Sequence, residues 1–305
     1  MAINKYRIKK WWNMLTGKSL LHVHQDIGKA FSVSEIKGYY NNLTEKVLKD
    51  EQNIEKVDYI PQFQTEKKET IFFATTIFQY GLGCYDLYLI NKDELYLKKF
   101  LTCAQWAMEN QKQNGAFECV SFIYPDAPYS AMCQGEAVSL LLRAYVVLKE
   151  QKYLQAAKKA VDFMLLSVAD GGTTRYENDQ VVLLEYTHLP IVLNGWIFAL
   201  FGLFDWTLVC EEEKYKAIFE KSIQTLADRL KKFDCGYWTK YDEEKKMASP
   251  FYHNLHIAQM EALKQITGKE IFGEYATRWK KYQKNPFKKG RAFCKKIFQK
   301  LVERN

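Results

Sequence analysis

The sequence is short of helix breakers and of the patterns that bind metals or hold disulfide scaffolds. Six prolines are spread over 305 residues, so little interrupts long helices. The seven cysteines are an odd number, and none stands in a CxxC or other ligand spacing. That argues against a disulfide scaffold and for a reducing compartment. No sustained apolar run follows the basic N-terminus, so no signal peptide is expected. The apolar stretch 189–209 is broken by Asn194, Gly195 and Asp205 and ends in Glu211-Glu212-Glu213. It reads as a buried core helix rather than a membrane span.

Acidic residues are also missing, but only at the ends. Residues 1–20 carry Lys5, Arg7, Lys9, Lys10 and Lys18 and no acid, and residues 284–305 carry eight Lys or Arg against Glu303 alone. The net charge of +8 therefore belongs to the two ends, and the body between them is net acidic. No basic stripe runs through the body, so nucleic acid is not an expected partner. Trp11, Trp12, Met14 and Leu15 are set among the N-terminal charges, and Phe293, Ile297, Phe298 and Leu301 recur at helical spacing among the C-terminal ones. Such a pattern fits either a helix on an anionic membrane or a solvated helix packing its stripe on the body. The expected setting is a bacterial cytoplasm, with peripheral contact to the inner face of the membrane through these ends. A homodimer is carried as a candidate assembly.

What is abundant is helical periodicity. Candidate helices lie near 34–50, 67–90, 93–112, 130–149, 153–168, 190–209, 212–232, 252–267 and 270–284. They come in pairs, and the pairs are separated by linkers of one pattern: Gly115-Ala-Phe117 to Tyr129, Gly171-Gly172-Thr173 to Tyr186, and Gly236-Tyr237-Trp238 to Tyr252. Each linker opens on glycine, holds a polar turn and ends in tyrosine before an apolar helix, which suggests a short hairpin. A repeat of roughly 60 residues of this kind predicts an all-α fold, an incomplete α/α toroid with short β-hairpins between helix pairs. The division expected is 1–65 as a basic extension and first helix, 66–285 as the toroid, and 286–305 as a basic amphipathic tail. In a toroid the inner helices start at one end, so Tyr129, Tyr186 and Tyr252 are expected around one mouth.

Polar side chains near these tyrosines are candidates for binding. Gln134 and Asn194, on inner helices, can bind ligand hydroxyls or bond between helices. His253 and His256 share a helix face, but no third ligand accompanies them, so no metal is expected. No cofactor is expected either. Arg143 and Tyr145 lie farther down their helix and read as structural.

Three runs carry a resemblance: Ser130-Ala-Met-Cys-Gln134-Gly135-Glu-Ala-Val-Ser with Leu142-Arg143-Ala-Tyr145; Glu185-Tyr186-Thr-His-Leu-Pro190 with Leu193-Asn194-Gly195 and Gly202-Leu-Phe-Asp205; and Tyr252-His253-Asn-Leu-His256-Ile-Ala-Gln259. They resemble the catalytic C-terminal domain of the D-glucuronyl C5-epimerases, whose members show SAMxQGxAxSxLxRAY, EY-x-x-x-P leading into LNGxxxxLxGLxD, and YHxxHIxQ. Gln79-Tyr80-Gly81-Leu82 is similar to the family's QYGL segment. The likeness covers about 70–285.

The resemblance implies an isomerase that converts D-glucuronate to L-iduronate within an acidic polysaccharide, heparosan-like, with a role such as capsule biosynthesis. It implies Glu185, Tyr186 and Tyr252 as catalytic, and Tyr241 as the tyrosine of the family's YDLRH segment. The arginine of that segment falls at Glu244 here. Lys240, Arg175, His253 and His256 are the candidates left to meet the substrate carboxylate, with Tyr80, Tyr129, Gln134 and Asn194 as further binding residues.

The residue types suit the chemistry. C5 of a uronate lies α to a carboxylate, so its proton can be removed to leave an enediolate-like charge, and an acid must return a proton to the other face. A carboxylate and tyrosines can serve, and the residues leave open which face each takes. A uronate lyase on the same toroid would share the first step. A glycan-binding module would use the tyrosines only as platforms. A glycoside hydrolase would need a second carboxylate, and among these linkers Glu185 is the obvious one. A faint terpene-cyclase likeness at Trp106–Phe117 lacks any DxDD or DDxxD motif.

Overall fold

The computed structural model describes residues 22–65 and 67–302. The basic and aromatic N-terminal residues singled out above lie outside the described residues. Ten α-helices are described: α1 (Thr44–Leu48), α2 (Ala74–Asn91), α3 (Glu94–Asn110), α4 (Ala131–Leu148), α5 (Gln151–Leu165), α6 (Leu193–Thr207), α7 (Glu213–Arg229), α8 (Pro250–Thr267), α9 (Glu270–Lys284) and α10 (Pro286–Val302). Two small antiparallel ladders join them, β1 (Phe63–Gln64) with β2 (Thr70–Ile71) and β3 (Thr174–Glu177) with β4 (Gln180–Leu183).

The helices pack as the sequence pairs suggest: α2 on α3, α4 on α5, α6 on α7 and α8 on α9. The first helix of each pair then meets the next, α2 on α4, α4 on α6 and α6 on α8. These four inner helices are apolar nearly all round, as helices covered on every side must be. In α6 every residue from Leu193 to Trp206 is buried. The outer helices are amphipathic, α5 burying Tyr153, Ala156, Ala157, Ala160, Val161 and Met164 at helical spacing. The all-α class holds. Among the described residues the pairs form a row, and no comparable packing of α8 on α2 closes it into a ring. α4 is long and apolar enough to cross a membrane, but 78% of that stretch is buried inside the protein.

The close approach of inner helices has a local cause. Gly135 on α4 faces Gly202 on α6, where an added Cβ would stand 2.2 Å from the Gly135 carbonyl oxygen. The linkers start as expected, with Gly115, Gly171 and Gly236 all in the left-handed region (φ 91°, 83° and 79°) that glycine enters without strain.

The linkers differ beyond that point. Only the middle one forms the expected hairpin, with Arg175 opposite Val182 and Tyr176 opposite Val181. In the first, Cys119 and Val120 both donate to the Pro128 carbonyl and the chain turns tightly at Ile123 and Tyr124. Pro125 and Pro128 supply no ladder donors. In the third, Asp242 Oδ1 accepts from the backbone N–H groups of Glu244, Lys245 and Lys246 at 3.2, 2.9 and 2.9 Å. That carboxylate competes with the ladder, leaving single bridges such as Lys240 with Met247. The helix expected over 34–50 shrinks to α1, because 26–42 folds back on itself. Gly28 donates to Tyr40, Gly38 to Ala30 and Asn42 to Asp26.

Candidate active site

The loops at the starts of α4, α6 and α8 meet, and hydrogen bonds fix the meeting point. Leu184 N–H donates to Thr173 and its carbonyl accepts from Ala131, each at 2.9 Å, which ties the chain before Glu185 to the start of α4. The Glu185 carboxyl then lies over the first turn of α6. A Cβ added at Gly195 would stand 2.2 Å from Glu185 Oε2 and 2.5 Å from its Cβ, so only glycine leaves it room. Tyr241 is attached to the same turn: Leu193 N–H donates to the Tyr241 carbonyl (3.2 Å) and Glu243 N–H to Ile191 (2.9 Å). Tyr252 stands in the first turn of α8, where the Ser249 hydroxyl accepts from its N–H and Pro250 presets the helical start. The Tyr241 and Tyr252 rings meet edge to face, centroids 4.7 Å apart.

Glu185, Tyr186, Tyr241 and Tyr252 thus form one cluster. Burial pushes the Glu185 carboxyl up to about 7, while Tyr186 and Tyr241, within hydrogen-bonding reach, pull it back down. Its Oε2 is buried and accepts no formed hydrogen bond. The phenols move the other way from what a base would need. Tyr186 is raised first by the charge of Glu185 and then by burial. Tyr241 and Tyr252 are raised first by burial and then by Glu185. All three stay protonated at neutral pH, where the carboxyl is near half-ionised. No lysine or arginine among the described residues figures in the field at Glu185 or Tyr252, and the His22 ring stands 6.0 Å from the Tyr252 ring.

A second carboxyl adjoins the cluster. Glu136, fully buried on α4, accepts from Gln79 Nε2 at 2.6 Å through Oε1, and its Oε2 has no partner. Burial raises it to about 8, Gln79 and Lys46 oppose that, and Glu185 adds to it. Buried Lys46 is lowered to about 8 by the same desolvation. Asn194 Oδ1 and Gln259 Oε1 are likewise buried and unpaired, and Gln259 Nε2 donates to the Asn194 carbonyl. The four unpaired oxygens on Glu185, Glu136, Asn194 and Gln259 are groups that a polar ligand could satisfy.

Several expected binding residues are placed elsewhere. The Tyr129 ring packs edge to face on Phe163 (4.8 Å) and borders a shallow surface pocket with Lys112, Gln113 and Asn114. It therefore does not join Tyr186 and Tyr252; Tyr124, 5.8 Å from the Tyr186 ring, is the tyrosine of that linker which does. Gln134 is spent on the Phe117 backbone, accepting from its N–H at 3.0 Å and donating to its carbonyl at 2.9 Å. Tyr80 sits between α2 and α3, its ring near Tyr59 and under the Lys99 ammonium. Lys240 Nζ donates to the Glu244 carbonyl at 3.3 Å, closing its own turn. Arg175 lies on β3, without an ion pair among the described residues.

His253 and His256 are fully buried and organise the third linker. Thr239 Oγ1 lies 2.9 Å from His253 Nδ1 and 3.1 Å from His256 Nδ1, and His253 Nε2 lies 3.2 Å from the Trp279 carbonyl. The carbonyl can only accept, so His253 carries its proton on Nε2 and accepts from the threonine hydroxyl. That hydroxyl has one proton, so it accepts from His256 Nδ1 in turn. Burial lowers His253 to about 3 and His256 well below its ordinary value, so both are neutral. Trp238 stacks on His253 at 3.6 Å. These are positioning residues, not partners for a carboxylate.

Residues 102–281, more than half of the chain, match the family model described as the D-glucuronyl C5-epimerase C-terminus. The chain belongs to this family. The D-glucuronyl C5-epimerase of Caenorhabditis elegans is 25% identical over 220 residues, covering 63% of this chain and 36% of that protein. An uncharacterized protein of Methanocaldococcus jannaschii is 28% identical over 156 residues, 49% of this chain and 51% of its own length. The chain thus spans only about a third to a half of the curated relatives it matches. Membership supports an isomerase activity of the epimerase type on carbohydrate.

Glu136, Gln79, Lys46 and Tyr124 were not singled out in the sequence as site residues. Glu136 did leave a signal: it is a carboxylate inside the apolar run Ala131–Leu142 of an inner helix, where an ionisable group is costly unless it has a task.

Proposed function

We propose that the protein inverts C5 of D-glucuronate residues within an acidic polysaccharide, giving L-iduronate. The observation that carries this is a buried carboxyl poised near neutrality among three phenols that stay protonated. Glu185 is the group able to accept the C5 proton, and the tyrosines are donors. Tyr186, Tyr241 and Tyr252 hydrogen-bond the developing enediolate, and one of them returns a proton to the opposite face. Between turnovers Glu185 gives its proton up to solvent and the vacated phenol takes one up from solvent, so the site resets without net proton change. Neutral donors take over stabilisation of the charge where the family arginine is missing. They must be aimed well, because each is a weaker partner than a guanidinium.

The test is incubation with uronate polysaccharides in deuterated water. Epimerisation leaves deuterium at C5 of the recovered polymer. An unsaturated, ultraviolet-absorbing product without C5 label would show a lyase instead. Binding of polymer without exchange would show a glycan-binding module. The rate should rise with pH through about 7 as Glu185 ionises.

A further inference from the structure

We propose that α10 is an interfacial helix that seats the protein on an anionic lipid bilayer. Its orientation carries the proposal. A tail helix that merely packed on the body would turn its apolar stripe inward; here the stripe faces out. The inward face is made by Lys288, Ala292, Lys296 and Gln299, spaced by four, four and three residues. Lys288 Nζ donates to the Gly236 carbonyl at 3.1 Å and stands 4.1 Å over the Tyr282 ring. Lys296 Nζ donates to the Met247 carbonyl, Gln299 Nε2 to that of Lys245, and Gln299 Oε1 accepts from Met247 N–H at 2.9 Å. Polar anchors therefore fix the helix to the third linker.

The outward face holds Phe287 (86% exposed), Phe298 (60%), Phe293 (43%) and Ile297 (37%). At 100° per residue, Phe293, Ile297, Phe287 and Phe298 fall within one arc of about 140°. Lys289, Arg291 and Lys295 are exposed as well, and α10 carries six basic residues and no acid. Exposed aromatics among cations on one helix are the pattern of a helix lying in the headgroup region of an acidic leaflet. The apolar groove of about 330 Å³ between α10 and Trp238, Ala248 and Pro250 adds apolar surface along one edge of this face.

A second copy of the chain would have to bring the exposed Lys289, Arg291 and Lys295 against the same three charges, which disfavours self-association through this face. An anionic bilayer answers both the charge and the apolar stripe.

Flotation of the full chain with vesicles tests it. Binding is expected to phosphatidylcholine vesicles containing phosphatidylglycerol, not to phosphatidylcholine alone, and to weaken with salt. Phe287→Ser with Phe298→Ser should lower partitioning at least about tenfold. Lys289→Gln with Lys295→Gln should lower it by about fivefold per charge. Neither pair touches the Glu185 cluster, so exchange on a soluble polymer should be unchanged, which also shows that the variants fold.

Cys294, the one exposed cysteine among the described residues, lies on the outward face. A polarity-sensitive fluorophore attached there should shift to the blue on anionic vesicles. The proposal is overturned if the Phe variants float like the parent, which would place binding elsewhere in the chain. It is equally overturned if the label does not shift, or if the exposed phenylalanines prove to hold a dimer that the same substitutions dissolve.

Discussion

The inner helices α4 and α6 each pass through two buried charge centres, and the two are built on opposite rules. Toward the far ends, Arg143 meets Asp205 at 2.6 Å with both side chains fully buried. Tyr40 donates to Asp205 at 2.7 Å, and Arg143 also donates to the Gly38 and Ser139 carbonyls. Charge is cancelled where it is buried. At the near ends, Gly195 holds Glu185 about 15 Å from Asp205 along α6, with phenols for company and no cation in its field among the described residues. The first centre pairs its opposite charges in the folded chain, with Arg143 Nε as its one guanidinium nitrogen left without a partner. The second is left incomplete, with unpaired oxygens on Glu185, Glu136, Asn194 and Gln259. A buried charge that exists for the fold is paired; one kept for chemistry is held near its titration point.

The sharpest way to separate the two centres is to neutralise one charged group in each. Glu185→Gln should reduce C5 exchange by about a thousandfold or more while leaving thermal stability equal or higher near pH 8. Arg143→Met should do the reverse in kind, destabilising by about 3–5 kcal/mol, read as the midpoint of urea unfolding.

The pH dependence of stability should draw on Glu185 and Glu136 at the second centre and on Asp86 near Arg143, whose carboxyl burial raises to about 7. Glu185 has its folded pKa raised from 4.5 to about 7. Its protonated form is therefore favoured by folding. That contribution is fully present below about pH 4.5 and is lost as pH rises through about 7, with a full span on the order of 3 kcal/mol. Unfolding midpoints measured from pH 5 to 8 should fall for the parent, and fall less for Glu185→Gln. Activity should rise over the same window, so the two curves cross.

A smaller effect is expected from Gly195→Ala, which forces a methyl against the Glu185 carboxyl. A loss of about 1–3 kcal/mol should appear in unfolding, together with a fall in exchange rate. Tyr129→Phe should change least, within about 0.5 kcal/mol and without loss of exchange, because that ring packs on Phe163 outside the cluster. A large loss of exchange from that variant would return Tyr129 to the site.

The helix pairs and the grouping of Glu185, Tyr186, Tyr241 and Tyr252 were legible in the sequence for different reasons. Periodicity marked the helices. The position of Tyr186 and Tyr252 before an inner helix marked two of the cluster, and resemblance marked Tyr241 and the roles. Tyr129 misled because repetition fixes where the backbone is, whereas rotamer and neighbours fix where the ring goes. His253 and His256 misled because sequence shows two imidazoles on one face but not Thr239 beneath them, which accounts for both Nδ1 atoms. Gln134 could not be told from a sugar ligand until the Phe117 backbone was seen to use both ends of its amide. Glu136 was overlooked because its partner, Gln79, lies 57 residues away on another helix. The outward turn of the α10 stripe was illegible for a simpler reason: periodicity gives a face, not its direction.

Gly195 makes two positions behave as one locus. Its missing side chain is the space that the Glu185 carboxyl fills, so neither residue can vary freely while the other stays. A genetic selection begun from Gly195→Ala should return second changes that shorten or withdraw the side chain at 185, or that move the loop bearing it. Exchange activity would return only with changes that keep an acid there. Within the family, drift at this glycine and drift in the residue at the Glu185 position should therefore be inherited together.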